Sequence, residues 1–321
     1  MNMRLPRLLP MLLVLFAIPA HAANLAGKKV LFVNSYHEGY PWSDGEESGA
    51  KAALSGKGIE IKFVRMDAKR HQGDTFAKAA GEKAKAEIDA FGPDLVIVTD
   101  DPAAKFVLQA FYKDAKLPFV FAGVNWDATK YGLPYKNATG MIEVAPVKAL
   151  ITSLRANAKG DRVGFMTVDS ETERIEGPNY EKALGKAFTV ARYAKTKAEW
   201  KNGFKKMQGE VDIVLLGNYA GINDWDEAEA KAWALEQSKL PSGCAYDFMM
   251  PFSMLGFTKI AEEQGAWAGA TALRILKGES PAAIPIVSNK ESKILINVKL
   301  ASKAGVVFRP EVVRSATVVN P

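Results

Sequence analysis

An α/β protein of two doubly wound parallel-sheet lobes is what this sequence predicts. Three observations carry the prediction. Short apolar runs rich in β-branched and aromatic residues alternate with segments of helical period. That alternation breaks at a polar stretch before residue 140 and then restarts. Polar and aromatic clusters follow the apolar runs, where an open parallel sheet presents its ligand-binding end.

The elements follow in order. Residues 28–34 read as a first strand, and Ser43-x-x-Glu46 reads as a capping box opening a helix through about Leu54. Ile59 to Val64 is a second strand. Phe76, Ala80, Ala84, Ile88 and Phe91 recur at helical spacing. Asp94 to Thr99 is an unbroken apolar strand, the kind buried on both faces. Asp101-Pro102 reads as an N-cap and first helical residue for a helix through Tyr112. Pro118 to Ala122 is a strand ending in Gly123. The run Asn137-Ala138-Thr139-Gly140 marks a lobe boundary.

Beyond it, Ala145 to Asn157 is a helix and Arg162 to Val168 a strand. Glu173 to Phe188, Ala198 to Met207 and Asp224 to Ser238 are helices, with strands at Thr189 to Tyr193 and Val211 to Gly217. Leu240 to Tyr246 is expected to close the second sheet. Phe252 to Lys277 reads as one long Ala- and Gly-rich helix, and Ile284 to Val287 and Lys293 to Val298 as extended segments before a peripheral terminus. Two such sheets facing each other form an interlobe cleft, and hinge closure on a ligand follows from that geometry.

Composition narrows the function. The 321 residues are 48% hydrophobic and 24% charged, as in soluble globular proteins. The formal charge of +6 falls to about +4 without Arg4 and Arg7, and lysines are scattered among glutamates, so no nucleic-acid footprint is present. Cys244 is the single cysteine, which excludes an internal disulfide and a cysteine-cluster metal site. It reads as a small buried hydrophobe.

Arg4 and Arg7 precede an apolar run from Leu8 to Ala20, and Ala20-His21-Ala22 is an A-x-A cleavage site. Residues 1–22 are therefore expected to be a signal peptide, too short for a comfortable membrane span, with a mature chain from Ala23 exported to the periplasm.

Enzyme signatures are missing. The chain has no P-loop, no G-x-G-x-x-G after the first strand, no H-E-x-x-H and no G-x-S-x-G. His37 and His71 are the mature chain's histidines, too few for a metal site, and Ser35, His37 and Asp44 sit too close in sequence for a triad. No enzyme, metal or cofactor is expected.

The loops after the strands supply the candidate ligand site. They carry Ser35, Tyr36, Tyr40 and Trp42; Thr99 and Asp100; Asn125 and Trp126; Asp169 and Ser170; Asn218 and Tyr219; and Tyr246 and Asp247. Ser35, Thr99 and helix N-termini suit a carboxylate. Asp100, Asp169 or Asp247 suits an ammonium, and Tyr36, Trp42, Trp126 and Tyr219 suit a planar or apolar body. Ser43, Asp101 and Asn223 read as caps first. For the aromatics, partial burial within a lobe is the competing reading.

Val30-Leu31-Phe32-Val33-Asn34-Ser35-Tyr36-His37 with Gly39-Tyr40-Pro41-Trp42 resembles the opening of one group of periplasmic ABC-transporter substrate-binding proteins. Related extracellular domains occur in bacterial sensor kinases. Phe119-Val120-Phe121-Ala122-Gly123-Val124-Asn125 resembles the family's strand before its second cleft loop. Gly265 to Gly278, continuing through Glu279 to Ile284-Pro285-Ile286, resembles its late helix and the segment after it. Where many relatives have Asn-Asp after Gly-Val, this chain has Asn125-Trp126.

The resemblance implies a type I periplasmic-binding-protein fold with three crossings between lobes. Lobe 1 would take 27–142 and 252–283, and lobe 2 would take 143–251 and 284–321. It also implies capture of a small ligand, an amino acid or aromatic compound, for an ABC permease. Two lobes joined by short crossings, without an obvious apolar stripe for a partner, point to a monomer. The alternative partner is a membrane sensor kinase.

Overall fold

The computed structural model describes residues 25–320. The leader expected at 1–22 lies outside them. Among the described residues, no helix is long and apolar enough to cross a membrane.

The first lobe runs β1 (Lys29–Asn34), α1 (Pro41–Leu54), β2 (Glu60–Arg65), α2 (Asp74–Phe91), β3 (Leu95–Thr99) and a short α3 (Asp100–Ala103). A π-helical stretch, Ala104–Gln109, extends α3, and β4 (Phe119–Asn125) and β5 (Ala138–Glu143) follow. The chain then enters the second lobe: α4 (Val147–Arg155), β6 (Val163–Val168), α5 (Glu171–Leu184), β7 (Val190–Ala194), α6 (Lys197–Met207) and β8 (Ile213–Leu216). It continues through α7 (Glu227–Gln237), β9 (Ser242–Cys244) and β10 (Leu255–Thr258). Helix α8 (Ala261–Leu276) and β11 (Val287–Ser288) return to the first lobe. The second lobe ends with β12 (Lys293–Asn297), α9 (Val298–Lys303), α10 (Pro310–Ser315) and β13 (Thr317–Val319).

The two sheets have strand orders β11-β5-β4-β3-β1-β2 and β13-β12-β10-β9-β8-β6-β7. Every pairing is parallel except β10 with β12. Strands β3 and β4 are wholly buried, as their unbroken apolar runs require when helices cover both faces. One face of the first sheet packs on α2, through Ala77, Ala84 and Ile88. The other packs on α1 and α8, through Ala50, Leu54, Ala268 and Ala272.

Helices α1 and α8 approach closely because both carry glycines four apart. A Cβ on Gly45 would meet Ala261 Cβ at 2.7 Å, and one on Gly269 would meet Ala53 Cβ at 2.7 Å. Methyl groups on Gly49 or Gly265 would run into the other helix's backbone.

Several expectations are corrected. Helix α1 begins at Pro41, with Tyr40 as its N-cap, so Ser43 and Glu46 form no capping box. Proline suits a first helical position, and the earlier start turns Ser43 toward β1, where its hydroxyl donates to Asn34 Oδ1 at 2.8 Å. Helix α3 starts at Asp100 with Thr99 as N-cap, so Asp101 is not the cap. Asp226, not Asn223, caps α7, accepting from Glu229 N–H at 2.9 Å.

The stretch expected to begin a long helix at Phe252 instead forms β10; an apolar run of that length is ambiguous between helix and strand. Strand β9 is therefore interior and does not close its sheet. Residues 138–140, read as a polar break, belong to β5, where Gly140 lies under the Phe121 ring and Thr139 Oγ1 donates to Ile284 O at 2.7 Å. The sheet partition differs accordingly from the expected segments. Residues 255–258 pair in the second sheet and 287–288 in the first.

Candidate functional site

The carboxyl ends of both sheets meet across a seam, and the chain puts polar and aromatic side chains there from both sides. From the first lobe come Tyr36, Tyr40 and Trp42, all buried and packed in one apolar cluster with Met166, Phe252 and Tyr246 of the second lobe. Tyr36 and Tyr40 meet edge to face at 5.5 Å, and Trp42 meets Tyr246 the same way at 5.9 Å. Polar tips bridge the lobes. Tyr36 Oη and Thr172 Oγ1 are 2.8 Å apart, and Asn218 Nδ2 donates to Tyr40 Oη at 2.7 Å.

Strands β3 and β4 end in strained turns. Asp100 has φ +65° and Trp126 φ +62°, a region that bulky residues rarely enter. The Trp126 backbone N–H donates to Glu143 O at 2.9 Å. Its indole N–H reaches across to Glu176 Oε2 at 2.7 Å, with the ring edge-on to Tyr180 at 6.0 Å. Asp100 Oδ1 accepts from the Trp42 indole N–H at 3.1 Å.

Buried charge concentrates along this seam. Glu46, Asp100, Asp101, Glu143, Glu173 and Glu176 are buried, together with Lys69 and Lys259. Lys259 ion-pairs with Glu143, donates to Glu176 at 3.0 Å and to Tyr246 Oη at 3.1 Å. Burial works against its charge, but the two glutamates outweigh burial and hold the ammonium. Asp101 is saturated: it accepts from Asn125 Nδ2 at 2.6 Å and Tyr131 Oη at 2.8 Å, and pairs with Lys130 at 2.8 Å.

Lys69 lies 4.3 Å from the Tyr36 ring centre, with Thr172 Oγ1 at 3.5 Å. Burial lowers its pKa, and Glu173 is the strongest opposing charge. Burial pushes the carboxyls of Glu143 and Glu173 up to about 7, with Lys259 pulling Glu143 back and Glu176 pushing Glu173 further. It raises Glu46 and Asp100 well above the usual carboxylate range, helped by Asp100 on Glu46 and by Glu143 on Asp100.

Three cavities open along the seam. One of 740 Å³ is walled by Tyr36, Lys69 and Thr172 on its inner side and by Arg70, Asp169 and Arg174 at its rim. One of 240 Å³ lies against Tyr40, Tyr219 and Phe248, and one of 150 Å³ against Trp42, Tyr246 and Lys259. Among the described residues, no group of three or more His, Cys, Asp or Glu could hold a metal ion.

The sequence-derived candidates thus divide. Tyr36, Tyr40, Trp42, Thr99, Asp100, Asn125, Trp126, Asn218 and Tyr246 converge on the buried seam. Ser35 is committed within its own lobe, donating to Thr99 O at 2.5 Å and accepting from Ala103 N–H at 2.8 Å, so its hydroxyl is not free for a carboxylate. Asp169 lies at the rim, paired with Arg174 at 2.8 Å. Ser170 caps α5. Tyr219 stacks on Trp225 at 4.7 Å within the second lobe. Asp247 is exposed and accepts from the backbone N–H of Phe248, and it lines the 150 Å³ cavity beside Trp42, Tyr246 and Lys259. Cys244 is buried, its thiol pushed up to about 12 by burial.

Sequence reasoning missed Glu46, Lys69, Glu143, Thr172, Glu173, Glu176, Tyr180, Lys259 and Gln264. One signal was legible: Thr172, Glu173, Glu176 and Tyr180 fall on one face of a helix starting at Glu171.

Solved structures share this architecture over nearly their whole length. A Streptococcus pneumoniae ABC domain in complex with L-Trp superposes with a TM-score of 0.68 at 21% identity, covering 91% of this chain and 99% of that one. The fold is that of the type I periplasmic binding proteins. A conserved domain protein from Vibrio cholerae shares this binding-protein fold, with a TM-score of 0.70 at 20% identity over 91% of this chain and 99% of its own. A ligand-free, open substrate binding protein with adhesive properties from Clostridium difficile gives 0.64 at 20% identity, with the same coverage.

A family model described as ABC transporter substrate binding protein matches residues 252–320, from just before β10 to the terminal strand of the binding-protein fold. It is the family that the motifs at both ends of the sequence resemble. No curated protein matches significantly.

Proposed function

We propose that this chain is the solute-binding component of an ABC transporter, exported to the periplasm, which closes its lobes on a small ligand and presents it to a membrane permease. The observation that carries this is the seam itself. Two sheets direct their carboxyl ends at one another, and buried hydroxyl, amide and carboxylate groups from both sides meet there among aromatic rings. A stability-only interface has no use for so many buried charges, since each costs desolvation energy that apolar packing would not. The match over 252–320 and the shared fold support the same reading.

The protein performs no chemistry in this scheme; its output is a difference in affinity between open and closed lobes. The test is mass spectrometry of small molecules released on denaturing the purified protein, followed by thermal-shift and tryptophan-fluorescence titration with them. A released molecule that rebinds at micromolar concentration is expected. Failure to release or bind any small molecule would overturn the assignment.

A further inference from the structure

The far edge of the second sheet carries a surface that the solute-binding reading leaves unused. Among the described residues, five large apolar side chains are exposed, and four of them fall in one segment: Val298, Val307, Val313 and Val318. Val307 is 79% exposed. The segment lies beyond β12 and comprises α9, α10 and β13. Its inward positions are taken by Val306, Phe308, Val312 and Ala316, which pack with Ile296 of β12. Their chain neighbours Val307 and Val313 are thereby turned outward. Val318 stands in register with Ile296, so it leaves the sheet on that same face.

Positive charge gathers on the same segment. Residues 290–320 hold six basic side chains against two acidic ones, Glu291 and Glu311. Lys293, Lys299, Lys303, Arg309 and Arg314 are exposed. Surface cations such as Lys201 and Arg274 have carboxylate partners, but none of these five has one among the described residues. A groove of 600 Å³ between α7 and α9 continues the surface, lined by Ala232, Leu235 and Leu300 together with Lys231 and Lys299.

Uncovered apolar groups interspersed with unpaired cations suit a partner that is anionic outside and apolar within. A lipid headgroup layer fits better than a folded acidic protein. It supplies a counter-charge wherever a cation falls, whereas a protein needs carboxylates at matching positions. The exposed apolar residues of the segment are also all valines, a type that seldom anchors a protein interface.

We propose that this edge of the second lobe, from Lys293 to Val318, docks on an anionic phospholipid surface, with its cations at the headgroups and its valines at the acyl boundary. The proposal goes beyond the solute-binding reading and needs no ligand; such docking would hold the protein at the membrane where a permease sits.

Flotation of ligand-free protein with phosphatidylcholine vesicles, with and without phosphatidylglycerol, tests this. Binding to the anionic vesicles is expected to be at least about tenfold tighter and to fall as salt rises. Lys303→Glu with Arg314→Glu should weaken it at least about tenfold, and the same charge change on α2, Lys78→Glu with Lys83→Glu, should do far less. All four side chains are exposed, so both variants should melt like the parent. A polarity-sensitive dye on Val307→Cys should shift to the blue when anionic vesicles are added, with the buried Cys244 left unlabelled. Equal binding to both vesicle types, binding to neither, or equal losses in the two double variants would overturn the proposal. So would salt-sensitive binding to polyglutamate without binding to vesicles, which would give the face to an acidic protein. None of these outcomes touches the solute-binding reading.

Discussion

At the residue scale, single side chains hold the lobes together. Trp126 adopts a backbone conformation costing on the order of 1–3 kcal/mol for such a residue. It is kept there by its two hydrogen bonds, to Glu143 O and Glu176. Trp126→Phe keeps most of the ring and loses the bond to Glu176. A hydrogen bond to a charged group contributes about 1.5–3 kcal/mol, so ligand affinity should fall roughly 10- to 100-fold. Because that bond spans the seam, the denaturant midpoint should move little; a large loss of stability with unchanged affinity would place Trp126 in the core only.

Lys259→Met is the opposite case. It strands Glu143 and Glu176 as buried, unpaired carboxylates, and breaking such a pair costs on the order of 3–5 kcal/mol. Protonation relieves that cost, so the variant's melting temperature should recover toward the parent value at pH 5 relative to pH 8. Equal deficits at both pH values would show that these carboxylates are not the cause.

At the scale of elements, the site depends on how closely α1 meets α8. Gly265 lies against the Glu46 carbonyl, so any side chain there forces the two helices apart. Gly265→Ala should cost about 1–3 kcal/mol of stability, despite the better helix propensity of alanine. It should also weaken ligand binding, because the shift moves Glu46. Denaturant melts and ligand titration of one variant check both effects; a stabilised protein would refute the close-packing account.

At the scale of the whole molecule, the proposed closure would be linked to pH. Burial at the seam raises Glu143 and Glu173 from the solvated value of 4.5 to about 7. Glu46 and Asp100 shift in the same direction. If opening the seam solvates these carboxyls, the closed form holds more protons than the open form between about 4.5 and 7. Closing is favoured as pH falls through that window, and the gain is lost as pH rises through 7. Burial of Lys69 opposes this, since its pKa is lowered, while Lys259 stays charged in its glutamate pair. Small-angle scattering of ligand-free protein should give a smaller radius of gyration at pH 5 than at pH 8. An equal radius at both would remove the linkage. N-terminal sequencing of exported protein should begin at Ala23.

Much of this was legible from local pattern. The apolar runs of β1, β3 and β4 fix their strands, because a sheet covered on both faces admits few polar residues. That Tyr36, Trp42, Asp100 and Trp126 lie at the seam was legible because strand ends in such sheets face the interlobe crevice. The crossing at β10 was not legible, since an apolar stretch with a glycine in it suits a strand or a buried helix equally. Nor were Glu46, Lys69, Glu143 and Lys259. Along the chain each is an ordinary charged residue, indistinguishable from those on solvated faces. Their burial and pairing arise only when two lobes, folded from interleaved segments, bring residues such as Glu143, Glu176 and Lys259 to one place. Sequence periodicity reports which face of an element is apolar. Which buried carboxylate meets a counter-charge depends on contacts between elements far apart in the chain, and only the tertiary structure decides that.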